Sequence, residues 1–118
     1  MITIDSDAQV FIYNKAIDMR KSIDGLSLLV VEGMKLDPQV KGLYLFRNKV
    51  CDKFKAIFWD GDGFMLMYKR REMGSFKFPK DIDGDYYEID ADLFNWLRKG
   101  FDFYALKRHP ELKTSRYY

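Results

Sequence analysis

The sequence is poor in the residues that build covalent, metal-bound or nucleophilic centres, with one cysteine (Cys51) and one histidine (His109) in 118 residues. A single cysteine forms no disulfide within the chain, and with one distant histidine it cannot complete a structural zinc site. It also has no histidine base nearby in sequence. Neither common glycine-rich phosphate loop is present. We therefore predict no metal and no cofactor, and a reducing, cytoplasmic location.

Long apolar runs are also missing. Nothing approaches eighteen consecutive apolar residues, so no membrane partner is expected. The first residues carry Asp5 and Asp7 instead of a basic flank with an apolar run, so we expect no signal peptide. A chain of this length fits one domain. We predict a single domain over residues 1–105 and a basic tail over residues 106–118.

Hydrophobic and charged residues are both abundant, and the charged residues are unevenly distributed along the chain. Hydrophobic residues make up 47% of the chain and aromatic residues 17%, enough for a substantial core. Residues 41–80 contain ten Lys and Arg against four acidic residues, whereas residues 81–92 contain six acidic residues and no base. Such blocks predict a basic surface and an acidic surface on one body, unless they form only a solvated face.

Periodicity predicts an α+β fold, an antiparallel sheet of about five strands with a central hairpin, packed with two helices. Asp18 is the expected N-cap of the first helix, which runs to about residue 32 with Gly33 closing it. Asp90 and Gly100 are expected to bound the second helix, residues 91–99. The predicted strands cover residues 9–13, 43–47, 53–59, 64–70, 76–78 and 86–89.

The central hairpin turn carries two carboxylates and two glycines, Asp60, Gly61, Asp62 and Gly63. Glycine tolerates positive φ and aspartate favours turns, so the structural interpretation is preferred. The alternative is a metal-dependent nuclease, which would need a third carboxylate such as Asp18 or Asp24. The acidic stretch from Asp81 is a poor calcium loop, because its sixth position is not Gly and its twelfth is not Glu.

The hairpin arms are rich in Lys and Arg with aromatic residues interleaved, a composition typical of nucleic-acid binding. Basic side chains neutralise phosphates, and aromatic rings stack on unpaired bases. The alternative is that the aromatics belong to the core and the cations only solubilise the surface. The candidate phosphate contacts, including three outside the hairpin, are Arg20, Lys21, Arg47, Lys53, Lys55, Lys69 and Arg70.

An ordered series of short motifs covers the chain up to about residue 103. The motifs are Asp18-Met19-Arg20-Lys21, Asp24-Gly25-Leu26, Asp37-Pro38, Gly42-Leu43-Tyr44-Leu45-Phe46-Arg47-Asn48, Asp52-Lys53-Phe54-Lys55, Trp59-Asp60-Gly61-Asp62-Gly63-Phe64, Tyr68-Lys69-Arg70, Gly74, Phe76, Pro79 and Gly100-Phe101-Asp102. The series resembles the TnpB accessory proteins of insertion sequences of family sixty-six.

The resemblance implies a small protein encoded beside a separate transposase and needed for efficient transposition, with no settled biochemical activity. Two hypotheses of function follow. In the first, a non-catalytic protein binds the DNA at the ends of the element through the cationic residues named above. In the second, it is a scaffold that docks the cognate transposase through the acidic segment 81–92 or the hairpin. A metal-dependent nuclease using Asp60 and Asp62 is the third and least favoured alternative.

Overall fold

The structure is a computed structural model that describes residues 7–79 and 82–100. The elements, in chain order, are β1 (Gln9–Ala16), α1 (Ile23–Leu29) continued by a π-helical segment (Val30–Met34), β2 (Leu43–Arg47), β3 (Lys53–Trp59), β4 (Phe64–Arg70), β5 (Tyr86–Asp90) and α2 (Ala91–Arg98). The predicted domain boundary at residue 105 and the predicted tail lie outside the described residues. No described helix has the length and apolar character needed to cross a membrane.

The five strands form one sheet in the order β4-β3-β2-β1-β5, which confirms the α+β class. The expectation of a wholly antiparallel sheet was wrong in one place, because β1 and β2 are parallel. The crossover between them contains α1, and a parallel pair requires a connection of this kind. The other three neighbouring pairs are antiparallel.

The sheet is buried on both faces by separate core clusters. On the side we call the α2 face, Val10, Leu45 and Phe54 pack with side chains of α2 such as Phe94. On the other side, the α1 face, the buried cluster contains the following residues: Phe11, Tyr44, Phe46, Ile57, Leu26, Val30 and Met34. Successive residues of one strand therefore point to opposite faces, and the strands read as nearly continuous apolar runs.

The predicted strand 76–78 was wrong, since this segment pairs with no described strand. Phe76 and Phe78 instead pack on the α2 face, where their ring centroids lie 5.1 and 6.4 Å from that of Phe54. The segment is held by one backbone bond, from Phe76 N to Cys51 O at 2.7 Å. Alternating apolar residues occur both in strands and in loop segments that pack aromatic side chains on a sheet, so the sequence pattern alone does not distinguish a strand from such a loop.

The first helix begins and ends differently from the prediction. It starts at Ile23 with Ser22 at the N-cap position, so Asp18 is not its N-cap. Its π-helical continuation ends at Lys35, which has a left-handed φ of 59°. Gly33 is not the cap but a point of close approach, because a Cβ there would lie 2.9 Å from Cε1 of Tyr13. Packing against the sheet, rather than helix termination, explains this glycine.

The second helix and the central hairpin match their predictions. The Asp90 side chain accepts a hydrogen bond from Leu93 N at 2.8 Å, and Gly100 has a φ of 90° just after the helix. Residues 60–63 connect β3 to β4, closed by a bond from Asp60 N to Gly63 O at 2.8 Å. Gly61 takes a φ of 83°, a conformation that glycine adopts without strain.

Candidate nucleic-acid interface

Several segments meet at the end of the sheet where the parallel strands β1 and β2 finish. Strand register places Ala16 beside Arg47, and Lys53 beside Arg70, at this end. The loop 17–22 is attached by a bond from Ile17 N to Arg47 O at 2.9 Å. The end of α2 joins through Lys69, whose Nζ donates to Arg98 O at 2.7 Å. We call this region, residues 17–22, 47–53, 69–72 and 98–99, the basic end.

The basic end concentrates positive charge from segments that are far apart in sequence. It contains ten cationic residues against three acidic ones (Asp18, Asp52 and Glu72), a formal charge of +7. The cations are Arg20, Lys21, Arg47, Lys49, Lys53, Lys69, Arg70, Arg71, Arg98 and Lys99. The loop 82–85 reaches the same end at the β5 edge, where Asp85 pairs with Lys35. A patch of this size creates a field that attracts polyanions.

The opposite end of the sheet is negative. Residues 7–8, 37–42, 60–63 and 90–92 lie there, at the starts of β1 and β2, the hairpin turn and the start of α2. These described residues include six aspartates and one lysine, Lys41, which gives a formal charge of −5. We call this region the acidic end. Charge is therefore separated along the strand direction. It does not follow the predicted sequence blocks, since residues 82–85 of the acidic block lie at the basic end and residues 60–63 of the basic block lie at the acidic end.

Arg20 and Asp18 form an exposed ion pair in the loop before α1. The guanidinium Nη2 donates to Asp18 Oδ2 at 2.6 Å and its Nε to both carboxylate oxygens, at 3.0 and 3.1 Å. These bonds, followed by one from the Arg20 backbone N–H, lower the pKa of Asp18 to about 2. The Arg20 side chain remains 91% exposed, so the pair does not remove it from solvent.

Lys53 and Arg70 lie opposite each other on β3 and β4, and each has an acidic neighbour. Lys53 Nζ lies 3.3 Å from Asp52 Oδ1, and Arg70 Nε lies 2.7 Å from Glu72 Oε2. Arg70 lowers the pKa of the Glu72 carboxyl through its hydrogen bond and its charge. Both predicted contacts are thus partly neutralised. Of the two pairs, only Arg70–Glu72 is exposed, and an exposed pair exchanges partners at little cost.

Lys55 shares the α1 face with Lys53 and Arg70, and it fastens the loop before α1. Its Nζ donates to the backbone carbonyl of Lys21 at 2.8 Å and lies 5.6 Å from the centroid of the Tyr68 ring. Tyr68, which pairs with Lys55 across the strands, is 50% exposed. This contact brings Lys21 next to the cations of the hairpin and leaves an aromatic ring open to solvent beside them.

Lys69 and Arg47 lie on the α2 face, apart from the other hairpin cations. Burial, and then the like charges of Arg98 and its neighbours, lowers the pKa of the Lys69 ammonium. Arg47 is buried, with 8% of its surface exposed, and its Nη1 donates to Asn48 O at 3.4 Å. Within the described residues its Nε has no hydrogen-bond partner. Arg47 is therefore not positioned as a surface contact in this conformation.

Sequence reasoning missed several cations of the basic end. Within residues 7–79 and 82–100, Lys21 and Lys49 form no ion pair; the first was predicted as a contact and the second was not. Arg71, directly after β4, was not among the predicted contacts, and its Nη1 donates to Lys99 O at 3.3 Å. Contacts between residues almost thirty positions apart leave no local signal in the sequence.

The turn carboxylates Asp60 and Asp62 belong to the acidic end, whereas Asp18 lies at the basic end. The third carboxylate that a metal site would need is therefore not supplied by Asp18. In the part of the chain that the structure describes, no group of three or more His, Cys, Asp or Glu is arranged to hold a metal ion. The supposed calcium loop begins at Asp81, outside the described residues.

Fold and site together define a small α+β domain whose charge is separated into a basic and an acidic end. The model of the family described as IS66 Orf2 like protein matches residues 8–108, and the chain belongs to this family. This confirms the resemblance found in the sequence. Family membership implies an accessory role in the transposition of insertion sequences.

Two relatives from Sinorhizobium fredii illustrate the similarity. The uncharacterized protein y4jC is 33% identical over 116 residues, covering 98% of each chain. The uncharacterized protein y4hO is 32% identical over 111 residues, covering 94% of this chain and 92% of the relative. No solved structure matches the chain.

Proposed function

We propose that the protein is a non-catalytic accessory factor of transposition that binds the DNA at the ends of its element through the basic end. The observation that carries the proposal is the formal charge of +7, assembled from four segments at one end of the sheet. DNA presents a dense row of phosphates, and neutralising them with Lys and Arg releases counterions, which supplies much of the binding free energy.

Individual residues of the basic end differ in how readily they would contact DNA. Lys21 and Lys49 come first, because neither is committed to an ion pair with a described residue. Arg20 follows, since it is 91% exposed and its partner Asp18 is a surface carboxylate. Just outside the basic end, Tyr68 offers a half-exposed ring beside Lys55, suited to stacking on an unpaired base near a cleaved end.

The test compares charge removal at the two ends of the sheet. Lys21→Gln combined with Lys49→Gln removes two charges from the basic end, while Lys41→Gln removes a charge from the acidic end. Binding of a labelled duplex carrying the element end is measured by fluorescence anisotropy. We expect the double variant to bind more weakly and to reduce the slope of log K against log salt by about 2. Equal losses in both variants would contradict a specific role for the basic end.

Docking of the cognate transposase is a second candidate function. The observation in its favour is a groove beside α1, lined partly by Leu28, Val31 and Phe64, in which the first two side chains are 55% and 50% exposed. The acidic segment 81–92 is a less suitable docking surface than the groove, because two of its carboxylates already have partners. Asp85 pairs with Lys35, and Asp90 caps α2. We expect co-purification with the transposase after nuclease treatment if docking occurs. Loss of co-purification in the double variant Leu28→Ser/Val31→Ser would identify the groove as the docking site.

Absence of catalysis is part of the proposal and has its own test. Purified protein is incubated with element-end DNA and Mg²⁺ or Mn²⁺, beside the variant Asp60→Asn/Asp62→Asn. We expect no cleavage by either protein. Metal-dependent cleavage by the unmodified protein that the variant lacks would establish the nuclease alternative instead.

A further inference from the structure

The two edge strands of the sheet differ in how they are protected from pairing with another chain. An exposed strand edge offers unpaired backbone groups, and proteins block it with short length, charge, proline or bulges. β5 is five residues long and includes Glu88 and Asp90. β4 is seven residues long, and its first five residues, 64–68, are Phe, Met, Leu, Met and Tyr. It pairs with β3 over seven consecutive positions without a bulge, so β4 is a straight and largely apolar edge.

Two backbone bonds fix which groups of β4 point away from β3. Asp60 N donates to Gly63 O, and Arg71 N donates to Asp52 O at 2.7 Å, which identifies these as hydrogen-bonded pairs. Pairs alternate along an antiparallel ladder between hydrogen-bonded and not. Phe64, Leu66, Tyr68 and Arg70 are therefore the residues whose N–H and C=O groups face outward. Within the described residues, no backbone group outside β3 bonds to this strand.

A second copy of β4 fits this edge when it runs antiparallel about a two-fold axis at Met67. Phe64 then lies opposite Arg70 of the other copy, and Leu66 lies opposite Tyr68. All four residues carry outward backbone groups, so about eight hydrogen bonds form. A residue pairs with its own copy only at Met67, so no cation of β4 faces the same cation.

The separation of charge selects the same arrangement. Antiparallel pairing sets the acidic hairpin turn of one copy, with Asp60 and Asp62, beside residues 69–72 of the other, which contain three cations and Glu72. Parallel pairing would place the two basic ends together. Complementary fields of this kind fix orientation in protein association, and an isologous two-fold contact is the commonest route to a dimer.

We propose that the protein forms a two-fold dimer by antiparallel pairing of its β4 strands, which joins two sheets into one of ten strands. The occupant of the β4 edge is a second copy of this chain. The proposal is independent of DNA binding, because it rests on β4 and the axial separation of charge alone.

The first test blocks the edge without disturbing the β3 ladder. Tyr68→Pro removes an outward N–H, a change that an edge strand tolerates, and Tyr68→Ala removes the same ring but keeps the N–H. Mass is measured by light scattering after size exclusion, with folding checked by circular dichroism. We expect about twice the 14.1 kDa chain mass for the unmodified protein and for Tyr68→Ala, and a monomer for Tyr68→Pro. A dimeric Tyr68→Pro, or a monomeric unmodified protein at 100 µM, would overturn the proposal.

The second test does not depend on the proline variant folding. In the proposed dimer the two Met67 residues form a non-hydrogen-bonded pair with Cα atoms about 4.5 Å apart, within reach of a disulfide. Met65 lies on the same face, and its two copies are about 13 Å apart. We expect Met67→Cys to form a disulfide-linked dimer under mild oxidation and Met65→Cys not to form one. The native Cys51 is buried, with 3% exposed, and does not interfere. Equal cross-linking of both variants, or none in Met67→Cys, would contradict the β4 contact.

Discussion

The ammonium group of Lys69 donates a 2.7 Å hydrogen bond to the backbone carbonyl of Arg98 at the end of α2. The last carbonyls of a helix lack partners within the helix, so a side-chain donor there satisfies a group that would otherwise stay unpaired. Arg71 supports the same helix end through Lys99 O, and a Cβ on Gly100 would collide with its guanidinium. Two cations of the strand and its extension therefore stabilise α2 while adding to the charge of the basic end.

We expect Lys69→Met to lower the free energy of unfolding by about 1 kcal/mol, since it removes the hydrogen bond to Arg98 O and leaves that carbonyl without its side-chain donor. Urea denaturation followed by circular dichroism measures the change. Lys49→Met is the matched control, because no described ion pair depends on it, and its effect should stay within about 0.5 kcal/mol. Equal effects of the two substitutions would show that the Arg98 contact contributes nothing.

Gly33→Ala should destabilise the protein by about 1–2 kcal/mol, because the added methyl group would lie 2.9 Å from Cε1 of Tyr13. Alanine otherwise favours a helix over glycine, so the sign of the effect depends on this contact. Tyr13→Leu should therefore relieve most of the penalty in a double-mutant cycle. If Gly33→Ala stabilises the protein, the helix does not approach β1 as closely as described.

Asp90→Ala should cost about 1 kcal/mol of stability, as expected for loss of an N-cap that accepts from Leu93 N at 2.8 Å. Asp92→Ala, in the first turn of the same helix, is the control for removal of a nearby negative charge. Thermal or urea unfolding compares the two variants. A larger effect at Asp92 would mean that charge near the helix start matters more than the cap.

The Asp18 carboxyl should titrate with a midpoint of about 2 instead of the usual 3.8, since Arg20 bonds to its charged form. Because the folded-state pKa lies below the unfolded value, the stabilisation is present above pH 3.8 and is lost as the pH falls towards 2. NMR titration of the side-chain carboxyl measures the midpoint. Arg20→Gln should move it back towards 3.8, and an unchanged midpoint would show that Arg20 is not the cause.

Local pattern was sufficient for β2, β3 and β4, whose predicted bounds match the structure. Strand-forming residues and the glycine-rich turn act over a few positions, so the sequence contains the needed information. The parallel pairing of β1 with β2 was missed, because it depends on where the intervening helix packs. The extension of β1 to Ala16 depends likewise on a neighbouring strand, since Ala16 pairs with Arg47 of β2.

The candidate site was only partly predictable. Lys53, Lys55 and Arg70 share a face by strand alternation and register, and Lys55 also contacts the backbone of Lys21. Lys69 lies on the opposite face, where the end of α2 meets it. The contact of Lys69 with Arg98 is set by tertiary packing, and the abundance of Lys and Arg in the hairpin does not predict it.

The salt dependence of DNA binding by the unmodified protein tests the central claim most directly. A labelled duplex carrying the element end is titrated by fluorescence anisotropy at 50, 100 and 200 mM NaCl. Contacts from Arg20, Lys21 and Lys49 alone neutralise three phosphates, so we expect binding at 50 mM and a log–log slope of about −3 or steeper. Folded protein that does not bind at 50 mM, or binds with a slope near zero, would contradict a DNA-binding basic end.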